Sequence, residues 1–423
     1  MSAYAEFLAK KKRSHAPSGF DSITDVYPMF DFQHYVTKWA TRTGKSCVFA
    51  GTGLGKTRMQ VAWADQVANH TGKPVLILAP LAVSGQTIEE AELMGVEIGR
   101  HHPRIQISNY ERLHECDGNY GGVVLDESSI LKSHDGHYRQ AITDRFKDTP
   151  YKIALSATPA PNDYMELGTH AEFMGVCSRL EMLATYFTHD GGDTSKWRLK
   201  KHARRDFWQW VSTWAMCFNN PEDIGFDGSQ YILPELNIVE HVMPTAHDGL
   251  GGLFGETLGT SATQIHQTQR HSSEGRIARA VEIEAESDDQ IILWCSTNEE
   301  QMAILKAIPH AVSIIGSDSP EKKEKALLGF SHGEFKTLVT KPSIAGFGMN
   351  WQRCNRMVFV SISYSFEMLY QSIRRCYRFG QTRPVTAQLL YSESEYAIRQ
   401  SLRFKSDSHS SMLDEMRAYA GVK

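Results

Sequence analysis

The sequence predicts an α/β fold with two lobes, each a parallel sheet flanked by helices, and a Trp-rich helical insertion at the end of the first lobe. The chain has 423 residues, more than the ~100 to 200 residues of one ordinary domain. Hydrophobic residues make up 41% and charged residues 22%, as in proteins that bury sizeable cores. Short apolar runs alternate with helical patterns in two separate blocks, which is typical of parallel sheets covered by helices.

The predicted strands are short and rich in β-branched residues. In the first block they are Ser46–Ala50, Val75–Ala79, Ile105–Ser108, Val123–Leu125 and Ile153–Ser156. In the second block they are Ile291–Cys295, Val312–Ile315, Thr337–Thr340, Met357–Val360 and Val385–Leu390. The predicted bounds are an N-terminal arm at 1–20, a first lobe at 21–177, an insertion at 178–243, a connector at 244–280, a second lobe at 281–410 and a C-terminal tail at 411–423.

Charge and apolar patterning restrict the class of protein. The net charge is -4, so any nucleic-acid binding must be local. No run approaches the ~20 apolar residues of a membrane span, and the N-terminus lacks the apolar region of a secretory signal. These features predict a cytoplasmic protein without a membrane partner. The seven cysteines are scattered singly, which predicts reduced thiols and no structural zinc.

A glycine-rich segment lies between the first predicted strand and a helical pattern, which is the context of a phosphate-binding loop. Its residues are Gly51, Thr52, Gly53, Leu54, Gly55, Lys56 and Thr57. Glycines allow backbone N–H groups to turn toward a phosphate at the helix N-terminus. Lys56 is expected to reach the β- and γ-phosphates of ATP, and Thr57 to hold Mg²⁺. The alternative is a tight glycine turn without a ligand.

Polar groups also end two later strands of the first block. Asp126 is expected to lie near Mg²⁺, and Glu127 to take a proton from the attacking water. The alternative is an ordinary strand end with two solvated acids. Ser156 and Thr158 are expected to sense these acids through their hydroxyls and to couple them to neighbouring elements.

Gln371, Arg375 and Arg378 are the catalytic candidates of the second block. They are spaced i, i+4 and i+7, which places them on one face of a predicted helix. Such a face is either solvated surface or a group of arginines that stabilises charge on a transferring γ-phosphoryl, an effect of ~10³ or more in rate.

Taken in order, these motifs resemble those of superfamily-two helicases and, among them, the Swi/Snf-type DNA translocases. The resemblance spans about residues 29 to 390. The matching segments are Phe32–Gln33, Ala50–Thr57, Ile77–Leu81, Asn109–Glu111, Asp126–Ser133, Ser156–Asn162, Ser343–Asn350 and Gln371–Pro384. Within the family, the pattern is most similar to compact helicase-like proteins of bacteriophages and prophages, which share phrases such as HDGGDTSKWRLKKHA.

The resemblance implies two RecA-like lobes that close on ATP and Mg²⁺ and open on phosphate release. It implies an ATP-dependent DNA translocase or helicase, active as a DNA-stimulated ATPase in the bacterial host cytoplasm if phage-encoded. Gln33 is expected to read adenine and Gly346 to contact ATP. Contacts with the phosphates of single- or double-stranded DNA, independent of sequence, are expected at Pro80, Asn109, Ser343 and Asn350.

A basic stretch at 196–205 lies where related translocases carry helices that contact the duplex. Its DNA-binding candidates are Lys200, Lys201, Arg204 and Arg205. One interpretation is a DNA-facing patch with Trp197 or Trp208 as a wedge or stacking surface. The other is a solvated charged turn before a packed Trp-rich helix.

The sequence departs from the family pattern at several positions. Ser128 and Ser129 replace an Ala-His pair after the catalytic Glu, so that coupling must run through hydroxyls or be weaker. Phe347 replaces a glycine. Two other functions remain open: an RNA helicase, which Ser156-Ala157-Thr158 would allow, and an ATP-gated DNA clamp without processive unwinding.

Overall fold

The computed structural model describes residues 15–80, 83–132, 137–190, 193–243, 273–345, 350–392 and 395–419. The chain forms two compact units. The first comprises Met1–Gln230 together with Asp407–Lys423, and the second comprises Tyr231–Ser406.

Six short strands of the first unit form one parallel sheet, and two further strands form an antiparallel hairpin. The strands of this unit are β1 (Lys45–Ala50), β2 (Val75–Ala79), β3 (Ile105–Asn109), β4 (Gly122–Asp126), β5 (Tyr151–Ser156), β6 (Phe187–Asp190), β7 (Asp193–Leu199) and β8 (Ala215–Phe218). The sheet has the order β3-β2-β4-β5-β1-β8, and β6 pairs with β7. Because its central strands are buried on both faces, they read as continuous apolar runs.

Helices cover both faces of this sheet, as parallel crossover connections require. They are α1 (Asp31–Thr43), α2 (Lys56–Thr71), α3 (Ser84–Leu93), α4 (His137–Arg145), α5 (Leu167–Met174), α6 (Arg179–Tyr186) and α7 (Arg204–Val211). Short 3-10 turns lie at Tyr110–Glu115, Ser128–Lys132, Tyr164–Glu166, Lys201–Ala203 and Pro221–Ile224.

The second unit also contains a six-stranded parallel sheet. Its strands are β9 (Leu236–Met243), β10 (Ile291–Trp294), β11 (Val312–Ser313), β12 (Thr337–Thr340), β13 (Arg356–Phe359) and β14 (Val385–Ser392). Their order is β11-β12-β10-β13-β14-β9. Its helices are α8 (Ser273–Ala285), α9 (Asn298–Ala307), α10 (Pro320–His332), α11 (Pro342–Ala345) and α12 (Phe366–Ile373). The helix α13 (Tyr396–Tyr419) begins in the second unit and ends in the first, and a 3-10 turn at Ser229–Tyr231 lies where the first unit passes into the second.

Alternate residues of β10 enter two different apolar cores, one on each face of the second sheet. Ile291 and Leu293 pack with Ile283 of α8 in one core. Ile292 and Trp294 belong to the other. This two-residue period follows from the pleat of a β-strand, and it fixes the register of the sheet between two helical layers.

The predicted α/β architecture is confirmed: two lobes, each built on a parallel sheet, follow one another along the chain. Every predicted strand is present, with ends that agree to within a residue or two. The insertion predicted at 178–243 is only partly helical, however, because it contains β6 to β9. The strand β8 has four apolar residues, too few to be told from helix by periodicity.

The segment predicted as a tail is helical as far as Tyr419, and its residues belong to the first unit. Met412, Leu413 and Met416 are buried in the core of that unit. Their spacing places them on one face of α13, which is the pattern of an amphipathic helix.

Candidate functional site

The phosphate-loop, carboxylate and hydroxyl candidates of the first unit lie along one edge of its sheet. Parallel strands all end at the same edge, and the register shows how close these ends are. Phe49 is paired with Ser156, and Leu155 is paired with Asp126. On the other side, Ala79 is paired with Asn109. The structure therefore places the glycine loop, the two carboxylates and the Ser156 turn on adjacent strand ends, and Pro80 and Asn109 farther along the same edge.

The glycine loop connects β1 to α2 in a conformation that requires glycine. Gly53 and Gly55 have φ of 85° and 76°, in the left-handed region that other residues rarely adopt. A Cβ atom on Gly55 would lie 2.1 Å from Nε2 of Gln33. The N–H of Gly51 donates to the carbonyl of Phe218 in β8 at 2.9 Å, which anchors the start of the loop.

The side chains of the loop leave room and charge for an anion. Nζ of Lys56 donates to the carbonyls of Ala50 at 2.9 Å and Gly51 at 3.1 Å, so the ammonium lies within the loop. Oγ1 of Thr52 is buried without a hydrogen-bond partner among the described residues. Thr57 is half-buried in the first turn of α2. These groups fit the phosphate chain of a nucleotide with its Mg²⁺.

Gln33 joins the N-terminus of α1 to the glycine loop. Its Nε2 donates to the carbonyl of Leu54 at 3.1 Å, and its Oε1 accepts from the N–H of Phe30 at 3.0 Å. The side chain is buried. Its position beside the loop is compatible with the predicted contact to adenine, which stays a prediction.

Asp126 is buried at the end of β4, and its carboxylate is held by two donors. Nε2 of Gln60 donates to Oδ2 at 3.2 Å, and the N–H of Glu127 donates to Oδ1 at 3.1 Å. Burial raises the pKa of Asp126, whereas the Gln60 hydrogen bond and the charge of Lys56 oppose this rise. A buried carboxylate of this kind is stabilised by a cation, as expected of a residue that holds Mg²⁺.

Glu127 adopts an unusual backbone conformation. Its φ is 51°, and it is the one non-glycine residue with positive φ in the described part of the chain. The left-handed region costs such a residue about 1 to 2 kcal/mol. Strain of this kind is concentrated at functional sites, where the surrounding structure maintains it. The conformation therefore supports a functional role for this half-buried carboxylate.

The hydroxyls near these acids are internal. Ser156 and Thr158 have no exposed surface, and Oγ of Ser156 accepts from the N–H of Thr158 at 3.0 Å. Oγ of Ser128 lies 3.1 Å from Nε2 of His170, and both residues are fully buried. The coupling role predicted for Ser156 and Thr158 stays a prediction.

In the second unit, the prediction that Gln371, Arg375 and Arg378 share one helical face is wrong. The helix α12 ends at Ile373, and the chain continues in turns. The carbonyl of Arg375 accepts from the N–H of Trp351 at 2.9 Å, so this backbone is bonded to another segment instead of continuing the helix.

Gln371 and Arg375 nevertheless form a pair. Both are buried, and Oε1 of Gln371 accepts from Nη2 of Arg375 at 3.0 Å. Arg378 is half-buried, whereas Ser343 and Asn350 are exposed. The predicted ATP contact at 346 lies outside the described residues. Action of Arg375 and Lys56 on the same triphosphate stays a prediction.

The basic stretch is divided between structural and exposed cations. Nζ of Lys200 donates to the carbonyls of Ala184 and Thr185 at the end of α6, at 3.0 Å and 2.9 Å. Arg204 forms an ion pair with Glu415. Lys201 and Arg205 are exposed.

The tryptophans near this stretch divide in the same way. Trp208 is fully buried in the core of the first unit, so its predicted role as a wedge or stacking surface is wrong. Trp197 is half-buried and contacts the ring of His189, with 3.7 Å between the ring centroids. The interpretation of a packed Trp-rich helix is therefore correct for Trp208.

Three residues around Asp126 and Glu127 were not assigned these roles from the sequence. Gln60 lies one turn after Lys56 on α2, and this i, i+4 spacing was a signal that could have found it. The hydroxyl of Tyr110 donates to the carbonyl of Asp126 at 2.6 Å. His170 reaches Ser128 from 42 positions away, a contact that only tertiary structure reveals.

A membrane-spanning helix and a metal-binding group of side chains are both absent from the described ranges. There, no helix is long and apolar enough to cross a bilayer. No group of three or more His, Cys, Asp or Glu side chains in these ranges is arranged to hold a metal ion. The seven cysteines form no disulfide, and all except Cys177 are buried.

Comparison with known proteins gives a family match within the second unit. Residues 275–380 match the helicase conserved C-terminal domain. Comparison with curated proteins gives no match. Among solved structures, the chain is similar to the SWI2/SNF2 ATPase core of Sulfolobus solfataricus in complex with dsDNA, with 18% identity, coverage of 94% of this chain and 98% of that chain, and a TM-score of 0.42. The closer similarity to phage and prophage proteins has no support from these comparisons.

Proposed function

We propose that this chain is an ATP-dependent DNA translocase or helicase whose ATP hydrolysis is stimulated by DNA. One observation carries the proposal. The glycine loop with Lys56 and the Asp126–Glu127 pair lie at neighbouring strand ends of one sheet, where β5 alone separates β1 from β4. The helicase conserved C-terminal domain at 275–380 supports the same class of enzyme.

In this proposal, the first unit holds the nucleotide and provides the base. The loop amides and Lys56 bind the phosphates, and Thr57 and Asp126 hold Mg²⁺. When bound, Mg²⁺ would supply positive charge that offsets the negative charge of the phosphates. Glu127, which is half-buried and directly follows Asp126 at the end of β4, accepts a proton from the attacking water. Arg375 and Arg378 stabilise charge on the γ-phosphoryl.

The DNA contacts in this proposal are local and independent of sequence. Ser343, Asn350, Lys201 and Arg205 are exposed and can reach phosphates. Phosphate contacts position a protein on DNA without reading bases, and they weaken as the salt concentration rises. Cycles of ATP binding and phosphate release drive movement along the strand.

The test is the ATPase rate with single-stranded DNA, duplex DNA, RNA or no nucleic acid. We expect DNA to raise the rate. Lys56→Ala, Glu127→Gln and Arg378→Ala should each reduce it by about 10² to 10⁴. Lys73→Ala, at an exposed lysine of the first unit, is the matched control and should leave the rate unchanged.

Each other result points to a different function. Stimulation by RNA alone indicates an RNA helicase, and ATP-dependent DNA binding without turnover indicates a clamp. Absence of ATP binding overturns the proposal entirely. Strand-displacement and triplex-displacement assays run alongside distinguish unwinding from tracking along duplex.

A further inference from the structure

A buried histidine lies directly behind the Asp126–Glu127 turn. His170, on α5, has no exposed surface. Its Nε2 lies 3.1 Å from Oγ of Ser128, which is also fully buried. Ser128 is the residue that follows Glu127, so this hydrogen bond fixes one end of the turn that presents the carboxylate.

The second ring nitrogen determines the direction of this hydrogen bond. Nδ1 of His170 lies 3.4 Å from the carbonyl of Glu166, which can only accept. Nδ1 therefore carries the proton, and Nε2 accepts from the hydroxyl of Ser128. Burial lowers the pKa of His170 to about 4, which keeps the ring neutral near pH 7. Both nitrogens thus have defined partners.

Glu127 is held from both sides. On one side, the hydroxyl of Tyr110 donates to the carbonyl of Asp126 at 2.6 Å. On the other side, His170 holds Ser128 while its ring packs edge-on against Phe49 of β1, with 5.4 Å between centroids. The strained φ of 51° at Glu127 lies between these two fixed points.

The same histidine connects this turn to the Ser156–Asn162 segment. The backbone carbonyl of Glu166 accepts a hydrogen bond from His170, and its side-chain carboxylate accepts hydrogen bonds from Asn162. It accepts from the N–H of Asn162 at 3.1 Å and from Nδ2 of Asn162 at 2.8 Å. These hydrogen bonds thus link the turn after β4 to Asn162, in the segment that follows β5, through His170 and Glu166.

We propose that His170 is a positioning residue for ATP hydrolysis: its bond to Ser128 maintains the left-handed conformation of Glu127 and links this turn to Ser156–Asn162. This inference rests on the proposed function. The histidine would supply, from another helix, the coupling for which Ser128 and Ser129 alone offer only hydroxyls. A merely structural histidine would instead affect stability and leave the rate of each folded molecule unchanged.

Three substitutions isolate the bond. His170→Phe keeps a ring against Phe49 but removes the acceptor, Ser128→Ala removes the donor, and His170→Gln retains an acceptor. We expect His170→Phe and Ser128→Ala each to lower kcat about 10- to 100-fold, with KM for ATP unchanged within about twofold. His170→Gln should recover most of the loss. The double variant should be no slower than either single one, because both remove the same interaction.

Thr169→Val is the matched control. Thr169 is buried next to His170, and its hydroxyl donates to the same Glu166 carbonyl at 2.7 Å. Among the described residues, it makes no hydrogen bond with Ser128. We expect it to destabilise α5 while leaving kcat within about twofold of wild type. Amide hydrogen exchange over residues 123–132 gives a readout independent of activity, and it should accelerate in His170→Phe and not in Thr169→Val.

The outcomes separate this inference from the proposed function. If wild type hydrolyses ATP and His170→Phe or Ser128→Ala matches it, the positioning role is overturned. Equal loss of kcat in Thr169→Val, or no recovery in His170→Gln, also overturns it, because the effect is then structural. A wild-type protein without ATPase activity overturns the proposed function itself, and the inference with it.

Discussion

The Asp126–Glu127 turn of the first unit and the Gln371–Gln381 turn of the second hold candidate catalytic groups in contrasting ways. The first follows a strand, is strained at Glu127 and is fixed by side-chain bonds from Tyr110 and His170. The second follows a helix and is fixed by backbone and amide bonds to the 351–354 segment. At the first, the acids lie in a conformation that their neighbours maintain. At the second, an arginine is itself part of the buried framework.

Substitutions at the two turns should therefore differ in their effects on ATPase rate and on stability. Substitutions around the first turn can alter the ATPase rate without unfolding the unit. The hydrogen bonds from Tyr110 and His170 maintain the backbone conformation of this turn. Changes around the second turn should affect stability and rate together, because Gln371 and Arg375 are buried on one another.

Gly55→Ala should have the largest effect on the first site. The substitution combines a φ of 76° with a Cβ 2.1 Å from Gln33, and we expect ATP affinity to fall by about 10²-fold or more. Gly72→Ala is the matched control, since Gly72 has a φ of 63° but no atom within 4 Å of a Cβ. Nucleotide titration should show a loss in Gly55→Ala alone. Equal losses in both would mean that backbone strain, not the shape of the loop, limits binding.

The pH dependence of stability tests the buried histidine of the first unit. The pKa of His170 is lowered to about 4 from an ordinary 6.5, so the unfolded chain binds its proton more readily between these values. Its contribution is fully present above pH 6.5 and is lost as the pH falls toward 4. Urea unfolding at pH 7 and pH 4.5 should show wild type losing about 2 to 3 kcal/mol more than His170→Gln. A parallel decline in both proteins would contradict this.

Gln371→Leu tests the second turn. It removes the acceptor for Nη2 of Arg375, and we expect the free energy of unfolding to fall by about 1 to 2 kcal/mol together with a loss of ATPase rate. Gln400→Leu, on the exposed side of α13, is the control. Denaturant unfolding and turnover should be measured on the same preparations. A loss of ATPase rate without a loss of stability would mean that the second turn, like the first, affects the rate independently of stability.

The basic stretch should give the smallest effects. Arg204→Ala should lower stability by less than about 1 kcal/mol, because the side chain is 46% exposed beside Glu415, and it should barely change DNA binding. Lys201→Ala with Arg205→Ala should weaken DNA binding and its salt dependence while leaving stability unchanged. Fluorescence anisotropy at two salt concentrations measures both. Weaker DNA binding in Arg204→Ala alone would show that Arg204 also contacts DNA, as the sequence predicted for all four basic residues.

The sequence alone placed the candidate groups of the first unit correctly at one sheet edge but misplaced those of the second on a helix, for a physical reason. At the first site, groups at the ends of parallel strands must share an edge, so locating the strands also located Lys56, Asp126 and Ser156. At the second site, the prediction from the spacing of Gln371, Arg375 and Arg378 required a helix through all three residues. The helix instead ends at Ile373, where the backbone bonds to other segments. Periodicity carries no information about such bonds.

Other features depended on partners that are distant in the chain. The role of His170 required Ser128, and the burial of Trp208 required a core that includes the last turns of α13. The strand β8 was missed because its four apolar residues lie in a Trp-rich context. Local signals suffice for elements and strand ends, whereas contacts between distant helices and loops need the folded structure.

The last turns of α13 have a consequence for biosynthesis. Met412, Leu413 and Met416 fill part of the core of the first unit, whose other core residues, up to Cys217, are translated before the whole of the second unit. During synthesis on the ribosome, the core of the first unit therefore lacks these three side chains until they leave the exit tunnel. We expect the nascent protein to expose that unfilled surface throughout translation of the second unit, which would make it a client for chaperones.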